Sequence, residues 1–222
     1  MMLTLYFHPL SSFCQKALIA LYENDTPFER RIVDLGDEAS RAAFLAVWPI
    51  GKFPVLRDEG RDRTIPESSI IIEYLHAHYP GRTKLLPDDA DGALQVRLWD
   101  RFYDQHVMEP MQLIVANRLR PDGRKDPFGV EKAKARLQTA YAVIEREMAT
   151  RTWAAGEAFS MADCAAAPAL FYADKVMPFG DAHANMARYF ARLRERPSYA
   201  RARAEAEPYF HLFPDDAGAS AG

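Results

Sequence analysis

The amino-acid sequence predicts an α/β unit over residues 1–80, with the element order βαβ and then ββα, followed by a unit built only of helices. Three observations carry this prediction. Strand and helix patterns alternate over residues 1–80, a Pro-, Gly- and Asp-rich linker spans 81–92, and only helical periodicity follows over 93–213. The last residues, 214–222, have no such periodicity and are predicted to form a disordered tail.

The α/β unit is predicted to begin with a strand that leads into a helix. Leu3, Leu5 and Phe7 alternate as in a half-buried strand, and the first helix begins near Ser11 after Pro9 breaks the strand. The remaining predicted elements are a strand at 28–33, a helix at 39–47, a turn at 48–54, a hairpin with strands 55–57 and 63–65, and a helix at 67–78.

The helical unit opens with one long helix predicted over residues 93–119. This helix carries two apolar stripes, which imply two packing partners. The stripes are Leu94, Leu98 and Phe102 on one side, and Val96, Trp99, Tyr103 and Val107 on the other. Further helices are predicted around 130–148, 162–176 and 186–193, and Pro168 is expected to bend the second of them.

Composition excludes several classes of protein. The chain has 222 residues, 28 Lys and Arg against 31 Asp and Glu, and a net charge of −3, so we expect no nucleic-acid partner. No segment has the ~18 consecutive apolar residues of a membrane helix, and no secretory leader is recognisable, so we expect a cytoplasmic protein without a membrane partner. Cys14 and Cys164 lack neighbours at metal-ligand spacing, so no metal site is predicted.

Ser11 lies where the first strand gives way to the first helix, three residues before Cys14. This spacing is that of a Cys-x-x-Cys redox motif with Ser in place of the nucleophilic Cys. A hydroxyl at the start of a helix is able to donate a hydrogen bond to a thiolate from a ligand. The alternative from the residues alone is that Ser11 only caps the helix.

Two further segments have a structural and a functional interpretation. Phe53-Pro54 precedes a strand, where a cis bond would turn the Phe53 backbone toward the Ser11 helix end, although the frequency of cis bonds favours trans. Glu67 and Ser68 start a helix, and either cap it or bind the ammonium and carboxylate of an amino-acid terminus.

Four segments together resemble the cytosolic glutathione S-transferase family, in its order and nearly its spacing. They are residues 11–16 (SSFCQK), 48–56 (WPIGKFPVL), 66–75 (PESSIIIEYL) and, in the helical unit, the capping box at 160–163 (SMAD). The resemblance covers the chain except its tail and implies a thioredoxin-like N-terminal domain, an all-α C-terminal domain, glutathione as co-substrate without a metal, and a homodimer.

The resemblance also implies roles for individual residues. Ser11 matches the catalytic hydroxyl of the serine-type classes (theta, zeta, tau and many bacterial members). For glutathione binding it implies Phe53 at the cysteinyl part with Pro54 cis, Lys52 at the glycyl end, and Glu67 with Ser68 at the γ-glutamyl end. Trp48 and the Gln15-Lys16 pair depart from the family pattern, and the latter makes a zeta-type isomerase less supported.

The expected function is therefore activation of the glutathione thiolate for attack on a hydrophobic electrophile. The expected electrophile pocket lies between the domains, although core packing is an alternative for each of its candidates: Leu10, Tyr103, Val107, Met108, Met111 and Phe171. Asp100 and Asp104 are expected to be exposed helix charges, although an acidic residue in related transferases reaches glutathione's ammonium across a dimer.

Two alternative functions stay open at this point. One is a glutathione-dependent thiol-disulfide reductase or peroxidase that uses Cys14. The other is a noncatalytic glutathione- or ligand-binding protein of the same fold.

Overall fold

A computed structural model describes residues 2–214 of the chain and contains one four-stranded mixed sheet. The strands are β1 (Leu3–Phe7), β2 (Glu29–Ile32), β3 (Val55–Asp58) and β4 (Arg63–Pro66), in the order β2-β1-β3-β4. β1 pairs parallel with β2 and antiparallel with β3, and β3 pairs antiparallel with β4. The predicted strands are therefore confirmed, and they belong to a βαβ unit joined to a hairpin.

Three helices complete this unit: α1 (Ser12–Glu23), α2 (Glu38–Val47) and α3 (Ser68–His78). Eleven of the twelve residues of α1 are buried, so this helix is enclosed on all sides. α2 buries only Phe44 and lies at the periphery. The fold thus places the start of α1 deep in the molecule, which positions Ser11.

Every regular element after α3 in the described chain is a helix. The α-helices are α4 (Ala90–Phe102), α5 (Glu109–Arg118), α6 (Pro127–Glu147), α7 (Met161–Val176), α8 (Ala184–Glu195) and α9 (Pro197–Ala206), with short 3₁₀ turns between some of them and after α9. The predicted fold class, a thioredoxin-like α/β domain followed by a helical domain, is confirmed. α7 continues through Pro168.

The single long helix predicted over residues 93–119 is wrong in its details. α4 begins earlier, at Ala90, and a π-helical segment, Tyr103–Met108, separates it from α5. A π-helix has a wider turn than an α-helix, so it shifts the side chains that follow it relative to those before it. The segment over 90–118 is continuous but does not have one uniform helical period.

Of the two predicted stripes, only one is fully covered within the described part of the chain. Val96, Trp99, Tyr103 and Val107 are all buried. In the other stripe, Phe102 is half-buried against the core, but Leu94 and Leu98 are 61% and 54% exposed. The second packing partner that the two stripes imply is thus not provided by the described part of the chain.

The two units share one hydrophobic core, and α1 is their main junction because it packs against α3, α7 and α9. At the end of α1, the 5%-exposed Glu23 accepts hydrogen bonds from Arg196 Nε at 2.9 Å and Nη2 at 2.6 Å, and from the Ser198 hydroxyl. None of the described helices is long and apolar enough to cross a membrane. The linker boundary at 81–92 stays a prediction, and of the predicted tail, residues 215–222 lie outside the described residues.

Candidate active site

Ser11 is the N-cap of α1, with extended backbone angles and a side chain that points back over the first helical turn. Its Oγ accepts a hydrogen bond from the backbone N–H of Cys14 at 3.4 Å. This contact uses one lone pair and leaves the hydroxyl proton free to be donated. Capping and donation to a ligand are therefore compatible, and the first turn of α1 carries no acidic residue that would oppose an anion.

The Phe53-Pro54 peptide bond is cis, as the resemblance implies. Pro54 is buried directly before β3, and Phe53 is half-buried with its ring packed near His8 and Phe44. This turn forms one wall of a cavity of about 340 Å³, which we call the polar cavity. Its lining residues are Phe13, Lys52, Phe53, Pro54, Glu67, Ser68, Ser69, Arg101, Asp104, Gln105, Glu109 and Gln112.

The N-terminus of α3 forms the opposite wall of the polar cavity. Glu67, the N-cap, has a positive φ of 68° and makes no side-chain cap, so its carboxylate is exposed. Ser68 and Ser69 are 6% and 2% exposed and begin the helix, which also has no acidic residue in its first turn. The start of α3 thus offers backbone N–H groups to an anion, with a carboxylate beside them for a cation.

A buried lysine lies behind this wall. The ammonium of Lys16, 1% exposed, contacts Asp100 Oδ1 and Asp104 Oδ2, each at 2.7 Å, and donates to the Ser69 hydroxyl at 2.8 Å. Ser69 in turn donates to Asp100 Oδ2 at 2.7 Å. We call Lys16, Ser69, Asp100 and Asp104 the Lys16 cluster.

The Lys16 cluster corrects the expectation that Asp100 and Asp104 are exposed helix charges. Asp100 is 0% exposed and the Asp104 side chain is 14% exposed, because both turn inward to the lysine of α1. Burial raises the pKa of the Asp104 carboxyl, and the nearby Lys16 charge opposes that rise. Asp104 also lines the polar cavity, so it adds negative charge there within its own subunit.

A second cavity, of about 360 Å³, lies on the other side of the α1 N-terminus. We call it the apolar cavity, since its walls are mostly hydrocarbon. The residues that line it are Leu10, Ser11, Ser12, Met111, Gln112, Val115, Ala116, Leu119, Tyr172, Phe213 and Pro214.

The structure brings two of the six predicted pocket residues, Leu10 and Met111, to the apolar cavity. Tyr103 and Val107 are 0% exposed and Met108 is 2% exposed, so these three pack in the core and line neither cavity. All three lie in the π-helical segment, which packs against α7.

Phe171 is also displaced from the predicted pocket. It packs on Phe210 at 5.5 Å and on the neighbouring Tyr172 at 5.1 Å, between ring centroids, and does not line the cavity. The adjacent residue, Tyr172, lines the apolar cavity instead.

Sequence reasoning missed Tyr172, Phe213 and most of the α5 wall. An available signal was the four-residue spacing of Met111, Val115 and Leu119, which puts apolar side chains on one helix face. No comparable sequence signal places Phe213, which packs on Tyr172 with ring centroids 5.4 Å apart from the far end of the described chain.

Cys14 is 0% exposed and faces the core. Burial raises the pKa of its thiol to about 12, more than hydrogen bonds with the Ser11 side chain and the His8 backbone lower it. A thiol with such a pKa is protonated at neutral pH and is a poor nucleophile. The geometry therefore disfavours the alternative in which Cys14 carries redox chemistry.

Comparison with known proteins identifies the family. Models of the glutathione S-transferase N-terminal and C-terminal domains match residues 5–83 and 127–192. A glutathione S-transferase from Pseudomonas putida is 30% identical over 163 residues, which cover 73% of this chain and 70% of that protein. This chain belongs to the glutathione S-transferase family. The predicted resemblance is confirmed at the level of the family, and the serine-type class stays a prediction.

Two other members of the family resemble this chain over more of its length. Glutathione S-transferase GstB from Escherichia coli K12 is 27% identical over 199 residues, 89% of this chain and 95% of GstB. A crystal structure of a glutathione S-transferase from Methylobacillus flagellatus, with GSH bound, has a TM-score of 0.82 and 25% identity, covering 90% of this chain and 98% of that one.

Proposed function

We propose that this protein is a glutathione transferase in which Ser11 activates the glutathione thiolate for attack on a hydrophobic electrophile. The observation that carries the proposal is the place of the Ser11 hydroxyl: it caps α1 and lines the apolar cavity, while Phe13, two residues later, lines the polar cavity. A sulfur held at the start of α1 would thus face both a binding site for a peptide and a space for an apolar partner.

Glutathione has one ammonium and two carboxylates, and the polar cavity carries charges of both signs. The Phe53 backbone before cis Pro54 is proposed to pair with the cysteinyl part, and Lys52 to bind the glycyl carboxylate. Ser68 and the free N–H groups of α3 are proposed to bind the γ-glutamyl carboxylate, with Glu67 accepting from the ammonium.

Two interactions at the start of α1 are together strong enough to lower the pKa of the glutathione thiol as the proposal requires. A free thiol has a pKa of about 8.5, and lowering it by about two units requires ~2.7 kcal/mol. A hydrogen bond from Ser11 to the charged sulfur contributes ~1.5–3 kcal/mol, and the N-terminus of α1 contributes ~0.3–1 kcal/mol. Together they supply the required difference without a general base.

The test is the pH dependence of glutathione conjugation by Ser11→Ala. Because the substitution removes the donor to the thiolate, we expect activity to fall strongly at pH 7, where the unassisted thiol is mostly protonated. The loss should be much smaller at pH 9, where the thiolate forms unaided. Equal loss at both pH values would contradict thiolate stabilisation by Ser11.

Cys14→Ala is the matched control from the same helical turn. Its thiol is buried and outside both cavities, so conjugation should continue at close to the normal rate. If Cys14→Ala instead abolished reduction of glutathione mixed disulfides while Ser11→Ala preserved it, the redox function would replace the transferase function. Calorimetry combined with the conjugation assay tests for a noncatalytic protein. Such a protein would bind glutathione but would conjugate it to no electrophile.

We propose also that the protein acts as a homodimer. Leu94 and Leu98 on α4 are exposed, and Ile70 on α3 is 47% exposed. Arg97 of α4 donates two hydrogen bonds of 2.9 and 2.8 Å to Glu73 of α3, which joins the two helices at their surfaces. Isolated exposed apolar residues are common, but a row of them on two joined helices is typical of an interface.

A further inference from the structure

The polar and apolar cavities meet at one side chain. Among the residues that the structure describes, Gln112 is the only one that lines both. It lies on α5, across from the N-terminus of α1, and its side chain is exposed. In the proposed function, the glutathione sulfur and the electrophile come together where these two cavities join, so Gln112 lies beside the reacting atoms.

The amide of Gln112 is available for a ligand. No other residue of the described chain forms a hydrogen bond or a charge contact with it. A primary amide has two N–H donors and does not titrate, so it offers the same hydrogen bonds at every pH of interest.

The hydroxyl of Tyr172, which also lines the apolar cavity, is already committed. Tyr172 donates its hydroxyl proton to the Leu10 carbonyl at 2.6 Å and accepts from Gln15 Nε2 at 3.2 Å. Burial also raises the pKa of Tyr172 above its ordinary value. Of the described lining residues none is Asp, Glu, His, Lys or Arg. Ser11 and Ser12 line the cavity from the start of α1, and Ser11 is assigned to the sulfur. Gln112 is thus the uncommitted side-chain donor that the helical unit contributes to this cavity.

We infer that Gln112 is a specificity-determining residue of this transferase, which donates an amide N–H to an oxygen conjugated with the reacting carbon of the electrophile. The inference rests on the proposed function and deepens it. In conjugate addition to an enone, the sulfur–carbon bond forms at the β-carbon while the C=C π pair moves toward the carbonyl, whose oxygen carries the negative charge. The α-carbon then takes a proton from water, and the thiol proton has already left to solvent.

The developing charge on that oxygen makes the difference between substrate classes. A donor aimed at charge that appears during the reaction stabilises the transition state more than the ground state. An alkyl halide has no such oxygen, since the halide itself leaves with the bonding pair. Gln112 therefore accelerates attack on enones and leaves attack on alkyl halides unchanged.

The test compares two electrophiles, an enone and an alkyl iodide, with Gln112→Met. Methionine keeps the length and volume of glutamine but has no donor. We expect kcat/KM for the enone to fall about tenfold, the low end for a hydrogen bond to a charged group because the site is open to water. The value for the iodide should change less than twofold. Gln112→Asn keeps an amide on a shorter side chain, so its kcat/KM for the enone should fall less than that of Gln112→Met.

Gln138→Met is the matched control, because Gln138 is exposed on α6 and lines neither cavity. Equal changes for both electrophiles in Gln112→Met would overturn the inference, and so would a tenfold loss in Gln138→Met. In either case, conjugation of the iodide by the unmodified protein would leave the proposed function intact. If the unmodified protein bound glutathione but conjugated neither electrophile, the proposed function would fail and the inference with it.

Discussion

Lys16 is a buried cation whose two carboxylate partners come from the other unit of the fold. An ammonium taken out of water is tolerated when it is fully paired, and Lys16 has three partners within 2.8 Å. Replacing it by methionine leaves two buried carboxylates without their counter-charge. We expect Lys16→Met to lower the free energy of unfolding at pH 7 by ~3 kcal/mol, measured by chemical denaturation.

The loss of stability in Lys16→Met should depend on pH, and the pKa of Asp104 gives the direction. Burial already holds the pKa of Asp104 above its ordinary value, and removing the Lys16 charge raises it further. The folded state then binds the proton more tightly than the unfolded state, so stability falls as pH rises from the unfolded pKa through the folded pKa. The free energy of unfolding of Lys16→Met should thus be closer to that of the unmodified protein at pH 5 than at pH 7.

The control for this prediction is Lys134→Met, on the exposed face of α6. It should change stability by no more than about 0.5 kcal/mol at either pH. A destabilisation by Lys16→Met that did not vary with pH would show that lost packing, rather than unpaired charge, is responsible.

Some candidate site residues could be selected from the sequence, and others could not. Ser11, Lys52 and Glu67 were selected because each lies in a local motif at an element boundary, and each lines one of the two cavities, while their roles stay predictions. The Lys16 cluster was missed because a charge on a helix is normally solvated. Nothing in the local pattern around Asp100 indicates a lysine 84 positions earlier in the chain, and only the packing of α1 against the helical unit brings them together.

At the scale of elements, α7 depends on the capping box at its start, which the sequence predicted and the structure confirms. The Asp163 carboxylate is 0% exposed and accepts from the backbone N–H groups of Ala154 at 2.8 Å and Ser160 at 2.9 Å, and from the Tyr189 hydroxyl at 2.7 Å. One side chain therefore fixes α7, the preceding loop and α8.

We expect Asp163→Ala to destabilise the fold by ~3 kcal/mol or more, because it leaves several buried donors unsatisfied. Ser160→Ala, which removes one hydroxyl from the same box, should cost about 1 kcal/mol. Thermal unfolding of the two variants measures the difference. Similar melting temperatures for both would contradict the central role of the Asp163 carboxylate.

The π-helical segment shows what periodicity does and does not predict at this scale. Trp99, Tyr103, Val107 and Met111 are all buried at four-residue intervals. In an α-helix, each step of four residues turns about 40° beyond one full turn, so four such positions cannot stay on one narrow face. The wider π turn corrects this drift, and its presence could have been suspected from the spacing. Its bounds could not, since they depend on packing against α7.

At the scale of the whole molecule, the exposed stripe on α4 sets the expected assembly. A glutamate in place of Leu98 would put a charge into the proposed interface, where it loses its hydration. We expect Leu98→Glu to shift the protein from dimer to monomer in light scattering coupled to size-exclusion chromatography.

Leu113→Glu is the control for the assembly prediction, because Leu113 is 47% exposed on α5, where it lines a cavity with residues of α6. It should leave the dimer unchanged. A monomeric unmodified protein at micromolar concentration would refute the dimer, as would a dimer that survives Leu98→Glu together with Leu94→Glu.

The whole-molecule prediction from the sequence, an α/β unit before a helical unit, depended on patterns that are local and repeated, which is why it was confirmed. The cleft between the units depended on contacts far apart in the chain. Phe213, for example, lies beyond the last α-helix and packs on Tyr172, and no periodic pattern in the sequence predicts that contact.

The bonds that hold α1 at Lys16 and at Glu23 have a kinetic consequence. Both charges are buried and both are satisfied by the helical unit, so a rotation of one unit away from the other would expose or unpair them. We therefore expect no hinge closure in the catalytic cycle. Substrates are then expected to enter, and products to leave, by diffusion through a cleft that stays open.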